Sequence, residues 1–360
     1  MIIVGDIACP SDVLGKQLQK VFLDNSAIFN QQSIILNLEG LFGSEELLQA
    51  KVPVLYNHPS VLDAFNSFSN VTACLANNHI LDIPQYFEET IIGLQQKNIQ
   101  YGGAGNTLAN AHTPIYTKDG KHDVIVFNEC WDFLLYHQKN PTNNVYVATI
   151  QFNKLVNRVK ECKQLNASAT IVIYVHWSID FEMLPYPMYR QFAQDLITAG
   201  AKIVAGCHAH CVQGGEAYKN GYIVYGLGNF FLPNGVFANG SLKAPALAAM
   251  QLVLDYDIAK NTATCHWFKY GFNNNQHTID FVASNPFIAC NILKKYSPYQ
   301  SMSENEYLSF FKKNRRKKIL IPVFKSYHNS TWLSIQTNTL KTRATIARFM
   351  AKLNIIKWGS

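Results

Sequence analysis

The amino-acid sequence predicts an α/β fold in which strands and helices alternate in packed layers. Short β-rich apolar runs alternate with longer amphipathic segments over residues 1–275, and this alternation is typical of layered α/β proteins. The hydrophobic share of 48% and the charged share of 15% exclude a mostly disordered chain. Polar residues also follow the ends of most of the apolar runs, which indicates a site at one edge of a sheet.

The predicted strands are short runs rich in branched and aromatic residues. They are Ile2–Gly5, Ser33–Leu38, Val71–Leu75, Asp123–Asn128, Ala169–His176, Lys202–Ala205, Tyr222–Tyr225 and Ala249–Asp255. The predicted helices are Val13–Asp24, Pro84–Lys97, Asn153–Cys162 and Pro187–Ala199. Pro84 suits a first helical turn because its φ is fixed, and Gly200 suits the residue that follows a helix.

The charge of the chain is unevenly distributed and predicts two parts. Residues 291–360 carry fourteen Lys and Arg against two acidic residues, a balance of +12. Residues 1–290 carry a balance of −5, which accounts for the net charge of +7. This asymmetry predicts one domain over residues 1–275 and a basic, helical C-terminal extension over residues 276–360.

The sequence also indicates the compartment. Its apolar stretches, such as Ile171–Trp177, are far shorter than the ~20 residues that cross a bilayer. The N-terminus shows no basic leader with an apolar run behind it. The eight cysteines form no C-x-x-C pair, so we expect reduced thiols. These features predict a cytoplasmic protein, with peripheral contact at the inner face of the membrane as a further option.

Carboxylates, amides and imidazoles cluster at the predicted strand ends. They are Asp6, Asn37, Glu39, Asn77, Asn78, His79, His176, His208, His210 and Asn229. The carboxyl ends of strands in an open α/β sheet border one crevice, so these residues are expected to meet in space. Such ligands hold a divalent cation such as Mn²⁺, Zn²⁺ or Fe²⁺. A cation held this way lowers the pKa of a bound water and so yields hydroxide near neutral pH.

Each of these signals has a plainer interpretation when it is taken singly. Asp6 alone is a common turn or helix-cap residue, and a lone His176 in an apolar run is more often a hydrogen-bonded core histidine. The pair His208 and His210 is more specific, because its spacing puts both rings on one side of an extended segment. The flanking cysteines, Cys207 and Cys211, are expected to be bystanders. Only the full set favours a metal site.

The motifs resemble those of the CapA family of bacterial capsule and poly-γ-glutamate synthesis proteins, a branch of the calcineurin-like metallophosphoesterases. The matching stretches are Gly5-Asp6, Asn37-Leu38-Glu39, Leu75-Ala76-Asn77-Asn78-His79-Ile80-Leu81-Asp82, Gly103-Ala104-Gly105, Val175-His176-Trp177, Ala199-Gly200-Ala201, Gly206-Cys207-His208-Ala209-His210 and Tyr225-Gly226-Leu227-Gly228-Asn229-Phe230. They cover roughly residues 1–235. The resemblance implies a four-layer α/β/β/α sandwich with a metal centre at one sheet edge.

The resemblance also implies roles for individual residues. The implied ligands of one or two divalent cations are Asp6, Glu39, Asn78, His176, His208 and His210. His79 would protonate the leaving group or stabilise charge in the transition state, with Asp6 and Glu39 as catalytic partners. The residues expected to bind substrate or support the ligands are Asn37, Asn77, Asp82, Trp177, Glu182 and Asn229.

Several positions depart from the family pattern. The wider superfamily has an Asp-x-His pattern in its first motif, but here Asp6 is followed by Ile7 and Ala8. The histidine of that pattern is therefore absent, which leaves the number of bound cations open. Ser178 and Ala209 stand where the family usually has Gly and Pro. The acidic position after the His-Trp pair is filled by Asp180 or Glu182.

Three functions remain open from the sequence. The leading hypothesis is a metal-dependent hydrolase in which metal-bound hydroxide attacks a phosphoester, ester or amide bond of a capsule, exopolysaccharide or poly-γ-glutamate polymer or its precursor. The alternative is a non-catalytic scaffold of a capsular polymer machine. A nuclease ranks lowest, and no specific nucleic-acid partner is expected, because residues 1–290 are acidic overall and nucleic-acid affinity depends on phosphate neutralisation.

The basic tail has two interpretations. Residues 291–360 form either a solvated basic surface or a peripheral anchor on anionic lipid. The anchor would use a predicted helix over Leu340–Trp358, whose apolar side chains include Phe349, Met350, Leu353, Ile356 and Trp358.

Overall fold

The computed structural model describes residues 1–49, 53–136, 138–238, 244–273, 276–316 and 322–352. The strands are β1 (Ile2–Ile7), β2 (Ser33–Leu38), β3 (Leu41–Phe42), β4 (Tyr56–Asn57), β5 (Asn70–Cys74), β6 (Gln100–Gly102), β7 (Ala104–Gly105), β8 (Ile115–Asp119), β9 (His122–Cys130), β10 (Tyr146–Val147), β11 (Thr170–His176), β12 (Ile203–Cys207), β13 (Val212–Tyr218), β14 (Gly221–Leu227), β15 (Asn229–Phe231), β16 (Met250–Asp257), β17 (Thr262–Asn273) and β18 (Gln276–Pro286). The α-helices are α1 (Asp12–Asp24), α2 (Ser26–Phe29), α3 (Phe87–Gln96), α4 (Leu108–His112), α5 (Phe152–Leu165), α6 (Pro187–Ala199), α7 (Asn291–Tyr296), α8 (Glu304–Asn314) and α9 (Ser330–Lys352).

Two large sheets organise these elements. The first sheet has the order β18-β17-β16-β1-β2-β5-β6, and β15 also pairs with β1. The second has the order β13-β14-β12-β11-β9-β8. The central strands of each sheet, β1-β2-β5-β6 and β9-β11-β12-β14, run parallel. The carboxyl ends of β1 and β2 therefore meet at one edge, as do those of β11 and β12.

The sheets face each other, and helices cover their outer faces. Ile3 and Ile35 of the first sheet share a buried cluster with Val172 and Tyr174 of the second. The hydroxyl of Tyr174 also donates a hydrogen bond of 2.7 Å to the carbonyl oxygen of Val4 across the interface. The apolar sides of α1, α5 and α6 are buried in the core. The predicted α/β/β/α layering is thus confirmed.

The elements predicted within residues 1–275 all occur, with end shifts of at most three residues. The helix expected from Pro84 begins as a 3₁₀ turn at Pro84–Tyr86 and becomes α3 at Phe87. The hairpin β17–β18 was not predicted, although Ala263, Cys265 and Trp267 alternate as buried residues along β17 and carry the strand signal. Since β18 pairs with β17, the first sheet continues past residue 275. A division into two units would have to lie after Pro286, and the division itself stays a prediction.

Part of the basic C-terminal segment is built into the core. Tyr299, Tyr307 and Phe311 are almost completely buried, and the Tyr307 hydroxyl donates to the carbonyl oxygen of Pro185 at 2.5 Å. The predicted helix over Leu340–Trp358 is observed as α9, which starts ten residues earlier at Ser330 and is described to Lys352. Residues 353–358, which include Leu353, Ile356 and Trp358, lie outside the described residues.

A buried ion pair joins this segment to the sheets. Arg190 of α6 donates to Glu216 of β13 through Nε and Nη2, both at 3.0 Å, and through Nη1 to the carbonyl oxygen of Met302 at 2.8 Å. The guanidinium also lies over the rings of Tyr299 and Tyr307. The pair therefore connects α6, β13 and the segment that leads into α8.

We expect Arg190→Met to lower the free energy of unfolding by about 3–5 kcal/mol, because it leaves the buried carboxylate of Glu216 without its cation. Chemical denaturation followed by circular dichroism measures the loss. The control is Lys97→Met, which breaks an exposed ion pair with Asp63 and should cost no more than about 1 kcal/mol. Equal effects of the two substitutions would contradict the anchoring role of Arg190.

No helix among the described residues is long and apolar enough to cross a membrane.

Candidate metal centre

The strand register brings the polar residues of distant motifs to one place. Asp6 at the end of β1 lies beside Asn37 of β2 and Asn229 of β15. His176 at the end of β11 lies beside Cys207 of β12. Since these strands are parallel within their sheets, their carboxyl ends form one polar cluster between the two layers.

Asp6 is completely buried and is held from three sides. Its Oδ1 accepts a hydrogen bond of 2.8 Å from Asn37 Nδ2, and its Oδ2 accepts one of 3.2 Å from the backbone N–H of His208. His210 Nδ1 lies 3.6 Å from Oδ2. Asn37 is oriented in turn by Asn77, whose Nδ2 donates to Asn37 Oδ1 at 3.1 Å.

Glu39 is a buried carboxylate whose two oxygens have no hydrogen-bond partner. His79 Nε2 and His176 Nε2 face Oε1 at 3.7 and 3.9 Å, beyond hydrogen-bond distance. Burial raises the pKa of Glu39 well above its usual value, and the nearby carboxylates of Asp6, Asp180 and Asp82 add to the effect. A buried anion of this kind needs a compensating positive charge, so the donor set fits a divalent cation.

Besides His79, three imidazoles stand next to Glu39: those of His176, His208 and His210. His176 Nε2 lies 2.8 Å from Asn78 Oδ1 and 3.1 Å from His208 Nδ1. Burial lowers the pKa of His176 well below its usual value, and the neighbouring histidines lower it further. Burial also lowers the pKa of His210, whose Nδ1 is 2.8 Å from Asn229 Oδ1. These shifts favour neutral imidazole, the form that binds metals.

The backbone around the histidine pair is strained. His208 and His210 have φ values of 83° and 54°, and Ser178 and Phe181 in the facing loop have 82° and 59°. Left-handed values are unfavourable for residues other than glycine, and such strain concentrates at functional sites. The two left-handed positions on either side of Ala209 carry two of the histidines of the cluster.

His79 is held at the edge of the cluster and is partly open to solvent. Its Nδ1 lies 2.8 Å from Asp82 Oδ2, while Nε2 faces Glu39. Asp82 also accepts hydrogen bonds from the backbone of Leu55 and from Gln138 Nε2. The ring is thus fixed in orientation, with one nitrogen toward the cluster.

Two of the predicted site residues are placed elsewhere. Trp177 is buried in the core, where its ring stacks on Tyr189 with centroids 4.7 Å apart and its Nε1 donates to the carbonyl oxygen of Tyr225. Glu182 Oε1 accepts from the backbone N–H of Leu184 and of Arg316. The acidic residue next to the cluster is Asp180, whose Oδ1 lies 3.2 Å from His208 Nε2.

The structure adds a residue that the sequence interpretation missed. Asn57 is completely buried; its Nδ2 donates to the carbonyl oxygens of Glu39 and Gly40, and its Oδ1 accepts from the backbone of Cys9. It therefore fixes the turn that carries Glu39. No sequence signal marked Asn57, because it lies in the two-residue strand β4, outside the recognised motifs.

Among the residues that the structure describes, two groups of side chains could each hold a metal ion. The first is Asp6, His176 and Cys207, and the second is Glu39, His208 and His210; within each group the donor atoms lie within 4.8 Å of one another. All six side chains are buried. Cys207 was expected to be a bystander, yet its Sγ lies 3.1 Å from His176 Nδ1. Burial, with Asp6 and Glu39 nearby, raises the pKa of its thiol well above the usual value.

A family model described as "bacterial capsule synthesis protein PGA_cap" matches residues 1–234, well over half of the chain. The chain belongs to this family. The match ends after β15, so β16–β18 and helices α7–α9 lie outside it. The family resemblance inferred from the motifs is confirmed.

Curated members of the family match over part of their length. The capsule biosynthesis protein CapA of Bacillus anthracis is 27% identical over 164 residues, which are 45% of this chain and 40% of the relative. The PGA biosynthesis protein CapA of Bacillus subtilis is 27% identical over 164 residues, 44% of this chain and 42% of the relative. The match thus spans about two-fifths of these relatives.

Solved structures resemble the chain more distantly. A putative 5′-nucleotidase from Staphylococcus aureus in complex with α-ketoglutarate has a TM-score of 0.43 at 14% identity, and the likeness covers 85% of this chain and 56% of that one. The sulfate thiohydrolase SoxB of Thermus thermophilus has a TM-score of 0.42 at 10% identity, covering 79% and 46%.

Proposed function

We propose that this protein is a metal-dependent hydrolase that acts on a capsule, exopolysaccharide or poly-γ-glutamate polymer or on its precursor. The observation that carries the proposal is the buried carboxylate of Glu39, which has no hydrogen-bond partner and lies among histidines. The names of the curated relatives, which refer to capsule and PGA biosynthesis, support the polymer as substrate class.

The ligands in this proposal are Asp6, Glu39, Asn78, His176, His208 and His210, with Asn229 and Asp180 beside them. Glu39 belongs to the second group, and its Oε1 also faces His176 of the first group at 3.9 Å, so its carboxylate would serve one cation or two. When bound, a divalent cation supplies an activated water and polarises the bond that is cleaved. Mn²⁺, Zn²⁺ and Fe²⁺ all suit nitrogen and oxygen ligands, and one or two ions fit the donor set.

His79 acts in this proposal as the proton donor to the leaving group. Asp82 holds Nδ1 at 2.8 Å and thereby directs Nε2 toward the ligand cluster. A substrate that enters from solvent meets this nitrogen, since the ring is partly exposed. General acid catalysis requires such a fixed nitrogen within reach of the departing atom.

Metal analysis of the purified protein, combined with turnover assays on generic phosphoester and γ-glutamyl substrates, tests the proposal. We expect bound divalent metal and a hydrolysis rate that falls on chelation and returns on addition of Mn²⁺ or Zn²⁺. A protein that binds metal but stays inert on every substrate class would favour the scaffold function instead. That outcome predicts that His79→Ala leaves polymer production unchanged in cells.

We propose further that α9 contacts an anionic membrane surface, which would place the protein at the inner face of the membrane. Four apolar side chains lie exposed along one side of the helix: Trp332 (46%), Ile335 (40%), Ile346 (53%) and Phe349 (63%). Met350 is only half-buried. The exposed side chains of Lys312 and Lys313 in α8 add positive charge to the C-terminal segment that contains both α8 and α9. An apolar stripe with basic residues nearby is typical of interfacial helices.

Replacement of Trp332, Ile335, Ile346 and Phe349 by Ser should abolish co-flotation with anionic liposomes, because the inserted apolar area is lost. Substitution is preferable to deletion of residues 291–360, since the deletion would remove the buried Tyr299 and Tyr307. The control is Leu165→Ser, which removes an exposed apolar side chain of α5 and should leave flotation unchanged. Unaltered flotation of the fourfold variant would favour a solvated surface.

A further inference from the structure

Cys207 differs from the other buried cysteines in what its sulfur faces. Its Sγ lies 3.1 Å from His176 Nδ1, and His176 Nδ1 is 4.0 Å from Asp6 Oδ1. The donor atoms of these three side chains lie within 4.8 Å of one another, and all three are buried. Cys211, in the same motif, instead has its Sγ 3.3 Å from the carbonyl oxygen of Glu182. Only Cys207 thus combines a sulfur with a carboxylate and an imidazole within the described residues.

We propose that the Sγ of Cys207 is a ligand of the cation that Asp6 and His176 hold. His176 presents Nδ1 to this group, while its Nε2 faces Asn78 and His208. The imidazole therefore stands between the two groups of donors. The ligand set of the first cation is oxygen, nitrogen and sulfur, in place of the nitrogen and oxygen set expected from the motifs.

A sulfur ligand changes which metal the site selects. Thiolate is a soft donor that favours Zn²⁺ and Co²⁺, whereas Mn²⁺ prefers carboxylate and carbonyl oxygens. Ligation exchanges the thiol proton for the metal–sulfur bond, and the proton leaves to solvent. This inference reduces the set of cations that the proposed function allows. It rests on the cation site of that proposed function, but it does not require that the protein hydrolyses a substrate.

Co²⁺ substitution tests the ligand directly. The metal-free protein is titrated with Co²⁺ and its absorption spectrum is recorded. Visible d–d bands report a cation held by the protein, and a near-ultraviolet thiolate-to-cobalt charge-transfer band reports the sulfur ligand. We expect both in the wild-type chain. X-ray absorption of the Zn²⁺ form should show a sulfur scatterer at about 2.3 Å besides nitrogen and oxygen scatterers at about 2.0–2.2 Å.

Matched variants assign the sulfur to its residue. Cys207→Ser should lose the charge-transfer band and weaken Zn²⁺ binding by more than the ~10–100-fold typical of residues that only orient a ligand. Cys211→Ser, the control, should keep the band. Cys207→His should hold Co²⁺ without the band, because it supplies nitrogen in place of sulfur.

The outcomes separate this inference from the proposed function. Visible d–d bands without a charge-transfer band in the wild-type chain would overturn the sulfur ligand and leave the cation site intact. Cys207 would then act as a hydrogen-bond partner of His176. Absence of bound Co²⁺ would overturn both. The wild-type spectrum decides the matter even if the Cys207 variants fail to fold.

Discussion

Glu39→Gln is expected to abolish divalent cation binding while making the metal-free protein more stable. The wild-type chain buries a carboxyl group with no hydrogen-bond partner at either oxygen, and this burial raises its pKa well above the usual value. A neutral amide removes the cost of burying a group that ionises in the unfolded chain, but it cannot neutralise a cation. We therefore expect the variant to have a higher melting temperature than the wild type in chelator. Addition of metal should raise the melting temperature of the wild type only.

Thermal melting with and without Mn²⁺ or Zn²⁺ measures both effects. A ligand at 100 times its dissociation constant stabilises the native state by about 2.7 kcal/mol, and this gain should vanish in Glu39→Gln. The matched control is Glu216→Gln, a buried carboxylate that is paired with Arg190. It should lose stability and keep the response to metal. If Glu39→Gln melted below the wild type in chelator and still responded to metal, the metal centre would be wrong.

His79→Gln is expected to lower kcat by about 10²–10⁴-fold, the usual contribution of a positioned proton donor, without loss of bound metal. The His79 ring lies next to the ligand cluster, but in the proposed function it donates a proton to the leaving group and does not bind the cation. Asp82→Asn should reduce kcat less, because it weakens the hydrogen bond that orients the His79 ring but leaves the ring in place. The measurement pairs steady-state kinetics on the substrate found in the screen with metal content of each variant.

The control for His79 is His58→Gln, which changes a histidine bonded to Ser60 outside the cluster and should leave kcat unchanged. Loss of metal together with activity in His79→Gln would assign the ring to cation binding instead. A leaving group of low pKa should partly rescue the variant, since its departure needs less help from an acid. Equal rate losses for all leaving groups would contradict the role of proton donor.

Local patterns were sufficient to predict most of the fold. Runs such as Ile34–Leu36 and Ile171–Val175 are apolar on both faces, as strands between two layers must be, so their periodicity and length identify them. The hairpin β17–β18 was missed even though its buried residues alternate. The charge asymmetry also misled in part: Tyr299, Tyr307 and Phe311 belong to the core although the surrounding segment is basic.

The candidate site, like the fold, could be predicted only in part from the sequence. Asp6, Glu39, His176 and His208 could be named because their residue types follow strand ends. The strand-end rule does not tell which side of the strand a following residue faces, and the ring of Trp177 packs into the core. Asn57 and the contact between Asp180 and His208 depend on loop paths that no periodicity encodes.

The sequence by itself determined the α/β class, the family and the set of candidate metal ligands, because hydrophobic periodicity and the spacing of polar residues are local properties of the chain. Only the tertiary structure decided that Glu39 has no hydrogen-bond partner, that Cys207 faces His176 and that α8 packs into the core. These features arise where segments far apart in the chain come together. The burial of a side chain and the distance between two side chains are set by that tertiary packing and not by the local sequence.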